Sequence, residues 1–273
     1  MPGKVYSKIE SVFFTLRVGE KMADLSHRKA TAKVQILDKN GKPVCNAKVN
    51  VNQINHEFLF GCGAFEALPY TNGATVHNGN GSLVGAAEKI QERTIIEDRM
   101  AKWLELFNYG TLPFYWGGYE PEEGKPDAEG RMAAAKFLQS KDVKVKGHPL
   151  CWHTGCANWL MNYDNKTILE KQLARIHRDV GNLKGVIDMW DVINEVVIMP
   201  IYDKYDNAIT RICKELGRVG LVKEVFKAAY ETNPNGTFLI NDFNMSSNYE
   251  ILIDGCLQAG APINTIGLQS HQH

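Results

Sequence analysis

Short apolar runs alternate with longer stretches of helical period along most of the chain. Between the runs, apolar residues recur every three or four positions, as in Ile96, Met100, Trp103 and Phe107. This spacing indicates one helix face packed on a sheet. Strands that alternate with such helices are typical of βα units on a parallel sheet. The predicted strands cover residues 58–64, 109–114, 143–150, 187–194, 237–242 and 265–269.

The N-terminal part of the chain follows a different pattern. From about residue 29 to residue 60, apolar and polar positions alternate on both sides of Asn40-Gly41. A period-two pattern around Asn-Gly predicts a β-hairpin, with arms at residues 31–37 and 45–51. We therefore expect a short β-rich extension over residues 1–57 and a second domain over residues 58–273.

The order of elements leaves two architectures for the second domain. A doubly wound sheet usually carries a glycine-rich phosphate loop after its first strand. Here that position reads Gly61-Cys-Gly-Ala-Phe-Glu66, which lacks the third glycine and an opening helix. The sequence therefore predicts an α/β fold of the TIM (β/α)8 barrel type, with the first six βα units present.

Composition and charge narrow the classes of partner. The 273 residues include 31 basic and 31 acidic side chains, so the net charge is zero and we expect no nucleic-acid partner. No apolar run approaches the ~20 residues that span a bilayer, and no membrane partner is expected. We recognise no signal peptide in residues 1–30, which leaves the localisation open; a secreted or periplasmic protein is expected if a signal was removed.

Polar residues at the predicted strand ends are the candidates for chemistry, because a barrel has its active site at the C-terminal ends of its strands. Glu195 is the strongest single candidate, since it follows an apolar run and stands beside Asn194. Desolvation raises a carboxyl pKa, as a general acid working near neutral pH requires. A solvated loop carboxylate paired with Lys204 is an equally good interpretation of its position alone.

Tryptophans cluster near the same strand ends. Indole faces stack on the apolar faces of sugar rings, although large aromatic side chains are also ordinary core residues. Trp190 lies inside a predicted strand, so we expect it in the core. Trp152 stands between two histidines at a strand end, and for it we favour a binding role.

Four segments carry a family resemblance. The strings GHPLCWH, WDVINE, INDFN and IGLQSHQH closely resemble the signature segments of glycoside hydrolase family 10, the retaining endo-1,4-β-xylanases, and occur in the expected order. The likeness covers roughly residues 30–273. It implies endo-acting hydrolysis of xylan or xylo-oligosaccharide with retention of configuration, without a cofactor or a metal.

The resemblance also implies roles for individual residues. Glu195 is similar to the general acid/base, which protonates the leaving glycosidic oxygen. Asn194 is similar to the amide that binds the 2-hydroxyl of the sugar at the cleavage point. His148 and Trp152 match the histidine and tryptophan that line the same subsite.

The nucleophile is the larger departure from the family pattern. Gln269 and His271 match the pair that positions the nucleophilic carboxylate, which is a glutamate at the end of the seventh strand. The last strand predicted here is the sixth. We therefore expect a C-terminal fragment or a second chain to complete the barrel and supply that glutamate.

A second departure lies after the second strand, where the family usually has a Glu-Asn-x-x-Lys-Trp segment whose Asn and Lys bind xylose. Residues 111–121 keep Trp116 and Glu120-Pro121 but not the Asn or the Lys. Trp116 is expected to contact substrate, and it can form a stacking platform with Phe114 and Tyr115.

Two other functions stay open. The chain can be a non-catalytic remnant that holds carbohydrate through Trp152 and Asn194. It can also be a zinc-dependent barrel hydrolase, because it offers ligand types that suit zinc. Those ligands would be Cys151, His153, Cys156, His271 and His273.

Overall fold

A computed structural model describes residues 7–10, 31, 33–54, 56–72 and 93–271 of the chain. The chain divides into two compact units, residues 1–55 and residues 56–273. The predicted assignment of residues 1–57 and 58–273 to two domains stays a proposal.

The first unit contains a two-stranded antiparallel sheet. Strand β1, Ser7–Glu10, pairs with strand β2, Lys33–Ile36. The predicted tight turn follows β2, and there the Gly41 amide donates to the Asp38 carbonyl across 3.0 Å. The predicted second arm is wrong, because residues 45–51 form no strand. Val49 and Val51 are about half exposed, so no apolar layer covers this stretch among the residues that the structure describes.

The second unit is built on a parallel sheet of six strands, each paired with the next in chain order. All six predicted strands are present. A doubly wound sheet reverses its strand order at a switch point, whereas an unreversed order is how a (β/α)8 barrel is built. The strands are β3 (Gly61–Gly63), β4 (Tyr109–Pro113), β5 (Lys144–His148), β6 (Met189–Asn194), β7 (Thr237–Asp242) and β8 (Thr265–Leu268).

Helices occupy the connections between these strands. The longest of them, α6, is interrupted at Gly217, whose φ of +71° is outside the helical range. The predicted stripe at Ile96, Met100, Trp103 and Phe107 faces the core, with Ile96 and Met100 buried and the two aromatic residues half-buried. The helices are α1 (Ala67–Asn72), α2 (Arg93–Leu106), α3 (Trp116–Tyr119), α4 (Ala128–Gln139), α5 (Asn165–Leu183), α6 (Ala208–Thr232) and α7 (Ser247–Gln258).

The core between sheet and helices confirms the prediction for Trp190, which is fully buried. The indole packs over Gly147 of the neighbouring strand, where an added Cβ would lie 2.1 Å from an indole carbon. The Trp190 N–H donates to the Ile187 carbonyl at 3.0 Å, so the buried donor is satisfied. In the part of the chain that the structure describes, no helix is both long and apolar enough to span a bilayer.

Candidate active site

Glu195 is the first residue after β6 and turns the chain sharply. Its φ of +58° is left-handed, a conformation that costs a non-glycine residue about 1–3 kcal/mol and is common at functional sites. The Glu195 amide donates to the Asn241 carbonyl at 2.8 Å, which ties this turn to the adjacent strand β7. The side chain therefore leaves the sheet at its C-terminal edge, as predicted.

Two side-chain donors hold the Glu195 carboxylate. The indole N–H of Trp152 donates to Oε2 at 3.0 Å, and Nε2 of Gln269 donates to Oε1 at 3.2 Å. Burial raises the pKa of this carboxyl above its usual value, and the charge of Asp242 adds to the rise, while the two hydrogen bonds partly offset it. Glu195 is thus a half-buried acid held by donors, and not the solvated partner of Lys204.

Asn194 is oriented by its neighbours. Its Oδ1 accepts a hydrogen bond from Asn241 at 2.8 Å and a second one from Gln269 at 3.1 Å. Asn241 fits there because residue 267 is glycine: an added Cβ would lie 2.5 Å from the Asn241 Oδ1 atom. The structure therefore brings Asn194, Glu195 and Gln269 into one hydrogen-bonded group.

The two candidates after β8 contact each other. The His271 ring nitrogen Nε2 and Oε1 of Gln269 are 2.8 Å apart. Because the Gln269 amide nitrogen reaches both Asn194 and Glu195, His271 is linked to the acid through one intervening side chain. The expected contact of this pair with a nucleophilic carboxylate stays a prediction.

His148 rests on a buried carboxylate. Its Nδ1 donates to Oδ2 of Asp191 at 2.6 Å, and Nζ of Lys146 approaches the same oxygen at 2.7 Å. Burial acts to raise the Asp191 pKa, but the hydrogen bond from His148 and the charges of both partners hold it below its usual value. Asp191 fixes the orientation of the His148 ring.

Sequence reasoning missed Asp191 and Lys146 as parts of the site. A signal was available, because an acidic residue in the middle of a buried strand needs a partner. Lys146 and His148 are two positions apart on the preceding strand and so face the same side of the sheet.

Aromatic rings border one side of this group. The centroid of the Tyr115 ring lies 5.7 Å from that of His148 and 5.8 Å from that of Trp152. Trp152 itself is 7 % exposed, with most of its indole packed among these neighbours. Its predicted binding role stays a proposal, while its hydrogen bond to Glu195 is a direct feature of the structure.

A cavity of about 610 Å³ is lined by Glu195 and Trp152, among other residues. His153 lines it with Nδ1 buried and without a hydrogen-bond partner in the described residues, and burial lowers its imidazole pKa to about 4. The Tyr202 ring packs on His153 with centroids 4.3 Å apart. Both rings are neutral at pH 7, so they add uncharged aromatic surface to a cavity that Glu195, Asp203 and Lys204 also line.

The prediction for Trp116 requires a correction. Its side chain is 3 % exposed, and its N–H donates to Oε2 of Glu120 at 3.0 Å. The Arg175 guanidinium lies over the ring, 4.7 Å from its centroid, and Trp159 packs edge-on against it. Because Trp116 is buried and Arg175 and Trp159 pack against its ring, it has no free face for a sugar. Trp116 therefore stabilises the fold next to the site.

The described residues contain no cluster that could hold the zinc ion of the alternative function. No group of three or more His, Cys, Asp or Glu side chains in them is placed for metal binding. Cys151 and Cys156 are buried, and burial raises the pKa of both thiols, which keeps them protonated and weakens them as ligands. His273 lies outside the described residues.

Several curated proteins are similar to this chain. Endo-1,4-beta-xylanase 3 of Hypocrea jecorina (strain Rut C-30) is 29 % identical over 165 residues, which are 57 % of this chain and 46 % of that protein. Endo-1,4-beta-xylanase B of Paenibacillus barcinonensis is 29 % identical over 164 residues, which are 55 % of this chain and 48 % of its relative. The chain thus spans about half the length of the curated relatives that it matches.

Solved structures show the same fold. A family 10 endoxylanase from a sugarcane soil metagenome superposes with a TM-score of 0.59 at 20 % identity, over 79 % of this chain and 58 % of that one. Xylanase XynB of Paenibacillus barcinonensis, complexed with a conduramine derivative, gives a TM-score of 0.55 at 25 % identity, over 65 % and 57 % of the two chains. These likenesses confirm the predicted α/β barrel architecture.

The family match covers the part of the chain that contains the site residues. Residues 108–273 match the family described as Glycosyl hydrolase family 10. This match runs from the start of β4 past the end of β8 and includes Glu195, Asn194, His148 and Gln269. The chain therefore belongs to glycosyl hydrolase family 10.

Proposed function

We propose that this protein hydrolyses internal β-1,4-xylosidic bonds of xylan with retention of configuration, and that Glu195 is its general acid/base. The observation that carries the proposal is the environment of Glu195: a half-buried carboxyl with a raised pKa, held by Trp152 and Gln269. A carboxyl with a raised pKa stays protonated to higher pH than an ordinary glutamate, as a group that protonates a leaving glycosidic oxygen requires. Membership in the family and the names of the curated relatives support xylan as substrate.

The neighbouring side chains suit the sugar on the other side of the bond. Asn194 is held by two hydrogen bonds to its oxygen, so it meets the 2-hydroxyl of the sugar without reorganising. His148, fixed by Asp191, presents its remaining ring nitrogen as an oriented group. Contacts to the 2-hydroxyl strengthen as the oxocarbenium-like transition state forms, and thereby lower the barrier.

Retention needs a second carboxylate about 5–5.5 Å from the first. The buried acids nearest to Glu195 in sequence and in the sheet are already engaged: Asp191 binds Lys146 and His148, and Asp242 accepts backbone hydrogen bonds on both oxygens, at 2.9 and 3.0 Å. In this proposal the nucleophile is a glutamate outside the described residues, supplied by a C-terminal segment or a second chain next to Gln269 and His271.

The test is hydrolysis of xylan by the wild-type protein and by Glu195→Gln, with the anomer of the first product read by NMR. Without a proton donor, cleavage of natural xylan should fall by at least about 10²-fold. A dinitrophenyl xylobioside needs no proton, so its glycosylation step should survive. Glu170→Gln, an exposed glutamate on α5, is the matched control.

Three outcomes would contradict the proposal. Glu195→Gln that cleaves xylan within a few-fold of wild type would remove Glu195 as the acid. An inverted first product would remove the retaining mechanism. Wild-type protein that binds xylo-oligosaccharide but does not cleave it even when the completing C-terminal segment or second chain is present would favour the non-catalytic carbohydrate-binding function.

A further inference from the structure

Tyr115 is placed rigidly beside the acid. Its backbone carbonyl accepts the amides of Gly118 at 3.0 Å and Tyr119 at 2.8 Å, so it anchors the start of α3. Its ring stands edge-on to His148, with an interplanar angle of 89° and a centroid distance of 5.7 Å. Phe65 packs against it from another side at 6.2 Å. A ring held by the backbone and by its neighbours is already positioned for a ligand.

The hydroxyl of Tyr115 is open to solvent or to a ligand: Tyr115 is half-buried, and its hydroxyl is not one of the fully buried polar atoms without a partner in the described residues. Within residues 56–72 and 93–271, no protein group forms a hydrogen bond to it. Burial, with the charges of Asp191 and Glu195, raises the pKa of this hydroxyl to about 12. At pH 7 it is therefore an uncharged donor and acceptor that faces a site with two carboxylates.

The position of Tyr115 in the sequence corresponds to a lysine of the family segment. It directly precedes Trp116, and Trp116 and Glu120-Pro121 match the family segment Glu-Asn-x-x-Lys-Trp and the Glu-Pro after it. Tyr115 thus stands where that segment has its lysine. A lysine ammonium is charged and only donates, whereas a phenol is neutral and both donates and accepts.

We propose that Tyr115 is a substrate-binding and specificity-determining residue, whose hydroxyl bonds a ring hydroxyl of the sugar lying against His148 and Asn194. This inference rests on the proposed xylan hydrolysis and names one further contact in the same site. The neutral phenol at position 115 offers a donor and an acceptor to a sugar hydroxyl and adds no charge to the site. Its ring adds an apolar edge beside the sugar.

Two substitutions separate the hydroxyl from its surroundings. Tyr115→Phe removes the hydroxyl and keeps the ring contacts with His148 and Trp152. Tyr115→Lys restores the side chain of the family segment and adds a positive charge near Glu195. Tyr230→Phe, an exposed tyrosine on α6, is the matched control. Each variant is made in the full-length protein, and its far-UV circular dichroism and thermal melt are compared with those of wild type.

The measurements are kcat/KM on xylohexaose against pH, and calorimetric binding of xylotriose to the same variants in a Glu195→Gln background. Tyr115→Phe should lose about tenfold in kcat/KM and in affinity, which is the scale of one neutral hydrogen bond. The alkaline limb of its kcat/KM–pH profile should not move. Tyr115→Lys should move the alkaline limb to lower pH, because a nearby cation favours ionised Glu195. Tyr230→Phe should match wild type.

Wild-type kcat/KM and affinity in folded Tyr115→Phe would overturn the assignment of the hydroxyl. An unmoved alkaline limb in Tyr115→Lys would show that position 115 does not face Glu195, and would overturn it as well. Wild-type protein that neither binds xylotriose nor cleaves xylohexaose would instead refute the proposed function. That result is seen before any variant is compared, so the two failures are distinguishable.

Discussion

The indole N–H of Trp152 donates to Oε2 of Glu195 across 3.0 Å, although the two residues are 43 positions apart in the chain. Trp152 follows β5 and Glu195 follows β6, and the parallel pairing of these strands brings their ends together. A donor aimed at a carboxylate stabilises its ionised form, while burial acts in the opposite sense. The balance of the two sets the pH range over which Glu195 keeps its proton.

Trp152→Phe should move the alkaline limb of kcat/KM to higher pH. The substitution keeps an aromatic ring and removes the N–H that favours ionised Glu195, so the pKa of the acid rises by up to about one unit. A pH–rate profile on xylan measures the shift. Trp159→Phe is the control, since its N–H donates to the Glu120 backbone carbonyl at 2.9 Å. A limb displaced to lower pH in Trp152→Phe would contradict this account.

Glu195→Gln should make the folded protein more stable at pH 8 and leave its stability unchanged near pH 4. The folded-state pKa of Glu195 is raised, so its contribution to stability is fully present below the unfolded value of about 4.3 and is lost as pH rises through the folded value. Glutamine never ionises and avoids that loss. Urea unfolding at both pH values measures the difference, with Glu170→Gln as control. Lower stability of Glu195→Gln at pH 8 would refute the prediction.

Lys146→Met should destabilise the protein by about 3 kcal/mol at pH 7, because it leaves the buried Asp191 with one cationic partner fewer. The folded-state pKa of Asp191 is lowered, so the stability it contributes is present above about pH 3.9 and is lost as pH falls through the folded value. The deficit of Lys146→Met should therefore shrink toward acid pH. Urea unfolding from pH 7 down to the lowest pH at which the protein stays folded, below about pH 3.9, measures it.

Two companions make the Lys146 experiment specific. Lys144→Met alters an exposed lysine of the same strand and should be nearly neutral. The double variant Lys146→Met with Asp191→Asn removes both charges and should recover part of the lost stability. A double variant less stable than Lys146→Met alone would show that the two side chains are not coupled as the 2.7 Å contact indicates.

Gly267→Ala should lower stability by about 1–3 kcal/mol and reduce xylan hydrolysis. The added Cβ would lie 2.5 Å from Oδ1 of Asn241, so Asn241 must move and its hydrogen bond to Asn194 is lost. Gly255→Ala on α7 is the control: its Cβ would meet Val219 at an ordinary 3.7 Å, and alanine favours the helix. Equal stability of Gly267→Ala and wild type would contradict the proposed packing of Asn241.

The sequence by itself determined which segments form elements. The six barrel strands and the buried face of α2 follow from local periodicity, which indicates that a face is covered. The same pattern led to Glu195 as a carboxyl leaving a buried strand. It failed at residues 45–51, because alternation shows what a strand could bury and not whether a partner strand or a core is there to receive it.

Only the tertiary structure decided which residues meet. Gln269 reaches Glu195 over 74 positions, and Lys146 shares one oxygen of Asp191 with His148. The sequence predicted that Trp116 contacts substrate, whereas in the structure it is buried between Glu120 and Arg175. Such contacts depend on strand register and on the angles at which strand ends and loops leave the sheet. Periodicity predicts neither, because it shows that one face of a segment is buried and not which segment covers that face.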